Sequence, residues 1–125
     1  MFSKVDCVRI HVVDIDLALR FYTDKLRLEL IWRKGIDEAG LRIGHSDTEL
    51  VLTRDDFEHP EVDFMVDSVP VFIEKFKESG GKVIVQPFEI GIGLCSVVED
   101  PWKNRYVVLD RSKGFLKVDD QKNVI

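Results

Sequence analysis

The sequence lacks several features that mark common classes of protein. It has no long run of lysine and arginine, and its 125 residues carry a net charge of −5. Nucleic acid and anionic membranes are therefore not expected as partners. No apolar stretch approaches the roughly 18 residues that a membrane span requires. Residues 1–9 have neither the basic nor the apolar region of a signal peptide, so the cytoplasm is the expected location.

Cysteine is scarce as well. Cys7 and Cys95 are the two cysteines of the chain, and neither lies in a CxxC pair. A zinc knuckle or a thioredoxin-type redox motif is therefore not expected, and in a reducing compartment both residues are interpreted as small buried hydrophobes. Hydrophobic residues make up 45% of the chain and charged residues of both signs 33%, which is typical of one soluble folded domain.

The clearest local pattern predicts a helix that begins near residue 68. Asp67 and Ser68 can cap its N-terminus, and Pro70 stands in the first turn, where its missing N–H is harmless. The pair Gly80-Gly81 ends it. Between these signals, apolar residues recur with the spacing of one buried helix face: Val69, Phe72, Ile73 and Phe76.

A similar pattern stands 54 residues earlier, since Ile15 aligns with Val69. The first helix is predicted to open at Asp14 or Asp16. Its apolar stripe consists of Ile15, Ala18, Leu19, Tyr22 and Leu26. The same shift aligns two alternating segments that precede the helices: Val8, Ile10 and Val12 fall on Val62, Phe64 and Val66. Alternation predicts half-buried strands, with these apolar sets towards the helices.

Each helix is followed by three segments that are typical of strands. They cover residues 28–34, 41–45 and 49–54 in the first half, and 83–88, 94–99 and 105–110 in the second. Two βαβββ units of this kind predict an α+β fold, with helices outside and a curved mixed sheet around a cleft. The predicted organisation is one domain over 1–125, with units at 5–54 and 61–111 and a charged, loose or partner-bound tail at 112–125.

The order of these motifs resembles the vicinal oxygen chelate superfamily. Residues 10–22 read Ile-His-Val-Val-Asp-Ile-Asp-Leu-Ala-Leu-Arg-Phe-Tyr, and residues 99–105 read Glu-Asp-Pro-Trp-Lys-Asn-Arg, which is similar to the family's last hairpin. The resemblance covers about residues 5–111 and implies a glyoxalase/bleomycin-resistance-like fold. The family includes glyoxalase I, fosfomycin-resistance transferases, extradiol dioxygenases and metal-free bleomycin-binding proteins, and fold analogy alone does not choose among them.

The resemblance also implies where a metal would be bound. Metal-dependent relatives place four ligands on the first and last strand of each unit, and these positions correspond here to Cys7, Val51, Glu61 and Val107. Valine cannot donate to a metal. A thiolate with a carboxylate is a mismatched soft and hard pair, and no histidine supports it. No metal cofactor is therefore expected.

The predicted cleft face carries a second set of polar residues: Arg9, His11, Glu49 and Asp63. Buried charges need partners, so Arg9 could pair with Glu49 or Asp63. If some groups remain available, the excess of carboxylates favours a cationic or hydrogen-bond-donating ligand. Four aromatic residues are candidates for either ligand walls or plain packing: Trp32, Phe88, Trp102 and Tyr106.

His11 is the best single candidate for acid–base catalysis, because its reference pKa of about 6.5 suits proton transfer near neutral pH. A dyad with Cys7 is not expected, since residues four apart on a strand lie roughly 13 Å apart.

Three functional hypotheses follow. The first is a metal-free protein that binds a small organic molecule, cationic or aromatic, in the cleft of a homodimer. The second is a metal-dependent lyase, isomerase or dioxygenase of the glyoxalase type. The third is an interaction module without a small ligand.

Overall fold

The computed structural model describes residues 2–56, 60–99 and 101–125; Asp100 of the predicted hairpin and part of the link between the repeats lie outside this range. Contacts divide the chain into two compact units. The N-terminal unit comprises residues 6–61 and 117–125, and the C-terminal unit comprises residues 2–5 and 62–116. Within the described residues, no helix has the length and apolar character needed to cross a membrane.

The N-terminal unit has the strand order β2-β3-β4-β1. Strands β2, β3 and β4 are antiparallel, whereas β4 pairs with β1 in parallel. Its elements are β1 (Phe2–His11), α1 (Ile15–Leu19), β2 (Glu29–Lys34), β3 (Glu38–Arg42) and β4 (Glu49–Thr53). A π-helical segment, Arg20–Lys25, continues α1.

The C-terminal unit repeats this arrangement with the order β5-β8-β7-β6 and one parallel pair, β5 with β8. Its elements are β5 (Glu61–Val66), α2 (Val69–Glu78), β6 (Lys82–Ile90), β7 (Gly93–Glu99) and β8 (Arg105–Leu109). The predicted α+β fold of two βαβββ units is therefore confirmed.

One apolar cluster lies between helix and strands in each unit. In the N-terminal unit it consists of Ile15, Leu19, Ala39, Leu41 and Leu52. In the C-terminal unit it consists of Val66, Val69, Phe72, Ile73, Val98 and Val108. The predicted start of α2 is also confirmed, because Ser68 caps the helix and its hydroxyl accepts a hydrogen bond from the Val71 N–H.

The first helix differs from its prediction at its C-terminal end. Leu26 was expected on the buried stripe, but it follows the helical segment and is 52% exposed. The Thr23 hydroxyl donates to the Leu19 carbonyl at 2.6 Å, and the Leu26 N–H donates to the Phe21 carbonyl, five residues back. This widened turn rotates the following residues away from the core, and no apolar spacing in the sequence predicts it.

One strand boundary is also corrected. The strand expected at 41–45 is Glu38–Arg42, because the chain turns after Ile43 through Gly44, which has a positive φ of 57°. Phe2, at the start of β1, packs within the C-terminal unit, where its ring stacks on Phe64 with centroids 4.4 Å apart.

One interpretation of the sequence was a loose C-terminal tail, and the structure contradicts it. The Arg33 N–H donates to the Lys122 carbonyl at 2.7 Å, and the Val124 N–H donates to the Arg33 carbonyl at 2.8 Å. The tail therefore lies along β2, the outer strand of its unit, and satisfies backbone groups that an edge strand would otherwise expose to other chains.

A buried carboxylate joins α2 to β7 and β8. Asp110 is 1% exposed, and its oxygens accept hydrogen bonds from the Val69 N–H at 2.8 Å and the Leu94 N–H at 2.9 Å. Ser112 donates to it through both its N–H and its hydroxyl. Burial by itself raises the pKa of Asp110, but these hydrogen bonds outweigh it and leave the pKa below its ordinary value. At Gly93 a Cβ atom would overlap Asp110.

Candidate functional site

The sheet of the N-terminal unit has one face against α1 and an opposite, polar face. Strand register places Arg9 opposite Val51, Val51 opposite Gly40, and Gly40 opposite Trp32, which forms a row across all four strands. Because successive side chains point to opposite sides of a strand, this row lies on the face away from Leu52 and the helix. We call this surface the polar face. Its other members include Cys7, His11, Lys34, Glu38, Arg42, Glu49 and Thr53, and Arg42 is paired with Glu29 at 3.1 Å.

Three carboxylates converge on Arg9. Its Nη2 donates to Glu38 Oε2 at 2.7 Å and to Asp55 Oδ2 at 3.3 Å, and its Nε lies 3.5 Å from Glu61 Oε2. The side chains of Arg9 and Glu38 are about one-fifth exposed, whereas that of Asp55 is 76% exposed. In this Arg9 cluster, defined by Arg9, Glu38, Asp55 and Glu61, one positive charge faces three negative charges.

Internal pairing of Arg9, with Glu49 or Asp63, was one of the two interpretations of the sequence. The structure pairs Arg9 with Glu38, Asp55 and Glu61. In the parallel register of β1 and β4, Glu49 stands opposite Cys7, which lies two residues before Arg9 on the same face of β1. The Glu49 carboxylate accepts a hydrogen bond from Trp32 Nε1 at 2.7 Å. Asp63 belongs to the C-terminal unit.

The indole of Trp32 is held in place on the polar face. It lies directly on the backbone of the buried Gly40, where a Cβ atom would overlap the indole ring. Together with the hydrogen bond to Glu49, this contact fixes both the plane and the direction of the ring. A glycine inside a strand often marks such a close approach, but the strand predicted at 41–45 left Gly40 outside it, so this contact was missed.

His11 is exposed at the end of β1. Its Nδ1 lies 2.9 Å from the backbone carbonyl oxygen of Asp55. Because a carbonyl oxygen can only accept, Nδ1 carries the proton in this contact, and Nε2 does not take part in it. Asp55 thus orients His11 through its backbone and contacts Arg9 through its side chain.

The remaining predicted site residues are buried. Cys7 is 4% and Val51 3% exposed in the N-terminal unit. Asp63 and Val107 stand opposite each other on β5 and β8 of the C-terminal unit, where they are 7% and 9% exposed. Six of the eight predicted residues therefore belong to the N-terminal unit: Cys7, Arg9, His11, Glu49, Val51 and Glu61.

The four aromatic candidates are also divided between the two units. Trp32 alone among them lies on the polar face. Tyr106 packs against Phe64 and Phe2 in the C-terminal unit, which is ordinary core packing. Phe88 is 44% exposed on β6, the outer strand of its unit, and Trp102 is 80% exposed in the turn before β8.

The residues at the four implied ligand positions do not fit a divalent metal. Val51 and Val107 offer no donor atom, the Cys7 thiol is buried, and the Glu61 carboxylate is paired with Arg9. Across residues 2–56, 60–99 and 101–125, no group of three or more His, Cys, Asp or Glu side chains is arranged to hold a metal ion.

Comparisons with known proteins agree with this fold. A hypothetical protein from Bacillus halodurans superposes with a TM-score of 0.71 at 19% identity, covering 91% of this chain and 98% of that one. A methylmalonyl-CoA epimerase from Mycobacterium tuberculosis gives 0.71 at 17% identity, covering 89% of both chains. A protein from Legionella pneumophila described as an NAD-dependent benzaldehyde dehydrogenase gives 0.65 at 20% identity, with 85% and 98% covered.

These identities establish a shared fold and nothing finer. The comparison with curated proteins finds no match. The sequence profile of the Glyoxalase/Bleomycin resistance protein/Dioxygenase superfamily matches residues 4–108. The chain therefore belongs to the glyoxalase/bleomycin resistance protein/dioxygenase superfamily.

Proposed function

We propose that the polar face of the N-terminal unit binds a small organic cation and does so without a metal. The observation that carries this proposal is the charge of the Arg9 cluster, in which Glu38, Asp55 and Glu61 share one guanidinium. Two of the three negative charges are not neutralised within the cluster. A cation that approaches this face is attracted, whereas an anion is repelled.

Trp32 supports the same ligand class. An indole face attracts an organic cation by about 0.5–2 kcal/mol, depending on how far water is excluded. Because Gly40 and Glu49 fix the ring, the ligand does not have to order it on binding. Glu49 adds a further negative charge beside the indole. An aromatic ring that carries a cationic group therefore matches the site better than either feature alone.

The proposal is tested by fluorescence of Trp32. In a Trp102→Phe background, Trp32 is the sole tryptophan of the chain. This protein is titrated with benzyltrimethylammonium, benzyl alcohol and benzoate, which share the ring but differ in charge. We expect saturable quenching with the cation, at least tenfold weaker binding of the alcohol, and no binding of benzoate. Equal responses to all three compounds, or to none, would refute a cation site and would favour an interaction module without a small ligand.

A matched pair of variants separates the local charge from the net charge of the protein. Glu61→Gln removes one carboxylate of the Arg9 cluster and is expected to weaken binding of the cation severalfold. Glu74→Gln makes the same change on the exposed side of α2 and is expected to leave binding unchanged. Equal weakening by both variants would mean that only the overall charge matters.

A second candidate is proton transfer by His11, which the hydrogen bond to the Asp55 carbonyl supports because it orients the ring and, in the neutral imidazole, leaves Nε2 as the acceptor. One structure with this fold is an epimerase. Proton NMR in D₂O can follow exchange of the α-protons of small carbonyl compounds. Exchange that is lost in His11→Gln and kept in His45→Gln, whose histidine is exposed in a turn, would support this activity. Equal exchange in both variants would exclude it.

A further inference from the structure

The Arg9 cluster has a chemical role apart from ligand binding. We propose that the Arg9 guanidinium is a built-in cation that takes the place of a divalent metal on the polar face and keeps such ions out. The inference rests on the ion pairs of Arg9 and not on the proposed ligand. It accounts for the poor fit between the four implied ligand positions and a divalent metal.

The position of Arg9 is the first argument. Glu61 is the one implied ligand position with a carboxylate, and that carboxylate lies 3.5 Å from Arg9 Nε. Val51, at a second implied position, stands directly opposite Arg9 in the strand register. The guanidinium is therefore paired with the carboxylate of Glu61, which a metal would need as a ligand. Arg9 also lies in the same row across the sheet as Val51.

The chemistry of the guanidinium is the second argument. It stays charged at every accessible pH and presents N–H donors in a wide planar fork, whereas a metal ion draws oxygens to within about 2.0–2.6 Å. Carboxylates arranged around a guanidinium are spaced too widely to chelate an ion. This agrees with the finding that the described part of the chain has no three-residue donor group at metal-binding spacing.

Burial is the third argument. The side chains of Arg9, Glu38 and Glu61 are 23%, 21% and 35% exposed, so water screens their charges only in part. If Arg9 lost its charge, three carboxylates would repel one another on one small surface. A cation from solution would relieve that repulsion, and Asp55, which is 76% exposed, has the freedom to move towards it.

The test compares Arg9→Met with Arg105→Met. Arg105 is also paired with a glutamate, Glu99, at 2.8 Å, but in the C-terminal unit. Each protein is titrated with MnCl₂ at constant ionic strength, by calorimetry and by thermal unfolding. We expect no saturable binding to the wild type or to Arg105→Met. We expect Arg9→Met to bind Mn²⁺ at least tenfold more tightly than either, with a rise in its melting temperature, and to lose this gain when Glu61→Gln is added.

Methylguanidinium provides a second readout. Added at millimolar concentration, it is expected to raise the melting temperature of Arg9→Ala and to leave the wild type unchanged. If Arg9→Met does not fold, Arg9→Gln, whose amide can still donate to Glu38, replaces it. A folded Arg9 variant that binds Mn²⁺ no better than Arg105→Met overturns the proposal. Stoichiometric Mn²⁺ on the wild type, with NMR broadening centred on Glu61, overturns it without any variant.

Discussion

Replacing Asp110 with asparagine keeps the size of the side chain and removes one of its two acceptor oxygens. Oδ2 accepts from the Val69 N–H, and Oδ1 accepts from the Leu94 N–H and from Ser112. If the asparagine oxygen keeps the Oδ1 contacts, its NH₂ group must face the Val69 N–H, and one buried donor loses its acceptor. A hydrogen bond to a charged group contributes about 1.5–3 kcal/mol, so Asp110→Asn should destabilise the protein by about that amount.

Asp110→Ala leaves the N–H groups of both Val69 and Leu94 without this acceptor. The expected loss is about 3–5 kcal/mol, which is a large share of the stability of a small domain. Urea unfolding followed by circular dichroism measures both variants. Asp120→Asn, in the exposed tail, is the matched control and should change the stability by less than about 0.5 kcal/mol.

The pH dependence gives an independent check. Since the pKa of Asp110 in the folded protein lies below the ordinary value of 3.8, its ionised form stabilises the fold above that value. The contribution is lost as the pH falls through the folded pKa. The difference in unfolding free energy between wild type and Asp110→Asn should therefore be constant from pH 7 to about pH 5 and should shrink below pH 4. Equal stability at pH 7, or a difference that persists unchanged at pH 3, would refute the reasoning.

Three further predictions concern other parts of the molecule. Gly40→Ala should displace the Trp32 indole and cost about 1–3 kcal/mol, with a red-shifted Trp32 emission in the Trp102→Phe background; unchanged emission would contradict the contact. Removal of residues 117–125 should uncover β2 and promote concentration-dependent association, measured by dynamic light scattering; a stable protein that does not associate would argue against a protective role for the tail. The proposed homodimer should have twice the 14.4 kDa mass of one chain in multi-angle light scattering, and a strict monomer would exclude it.

The repeat and the second helix could be predicted because their signals are local. Val69, Phe72 and Ile73 lie within one helix, and Ser68 and Pro70 mark its start, so spacing and capping were sufficient. The first helix was predicted less well. Its apolar spacing continues to Leu26. No local pattern in the sequence indicates that the Thr23 hydroxyl binds the Leu19 carbonyl and that the regular helical hydrogen bonding ends there.

The Arg9 cluster was beyond sequence reasoning for a different reason. The face that carries Arg9 follows from alternation along β1, but its partners come from β3, from the segment after β4 and from the start of β5. Pairing Glu38 with Arg9 requires the register of three strands. Asp110 was missed because an aspartate after a strand is usually an exposed turn residue, and its burial depends on α2 and β7 together.

The two units are each assembled from separate parts of the chain, and this affects the order in which they can be completed during synthesis. The N-terminal unit includes residues 117–125, so its outer strand stays uncovered until those residues have left the ribosome. Phe2 is synthesised well before Phe64, so its ring lacks this partner until the second repeat has emerged. A nascent chain stalled between the repeats therefore contains no finished unit, and chaperone contact is expected to last through most of translation.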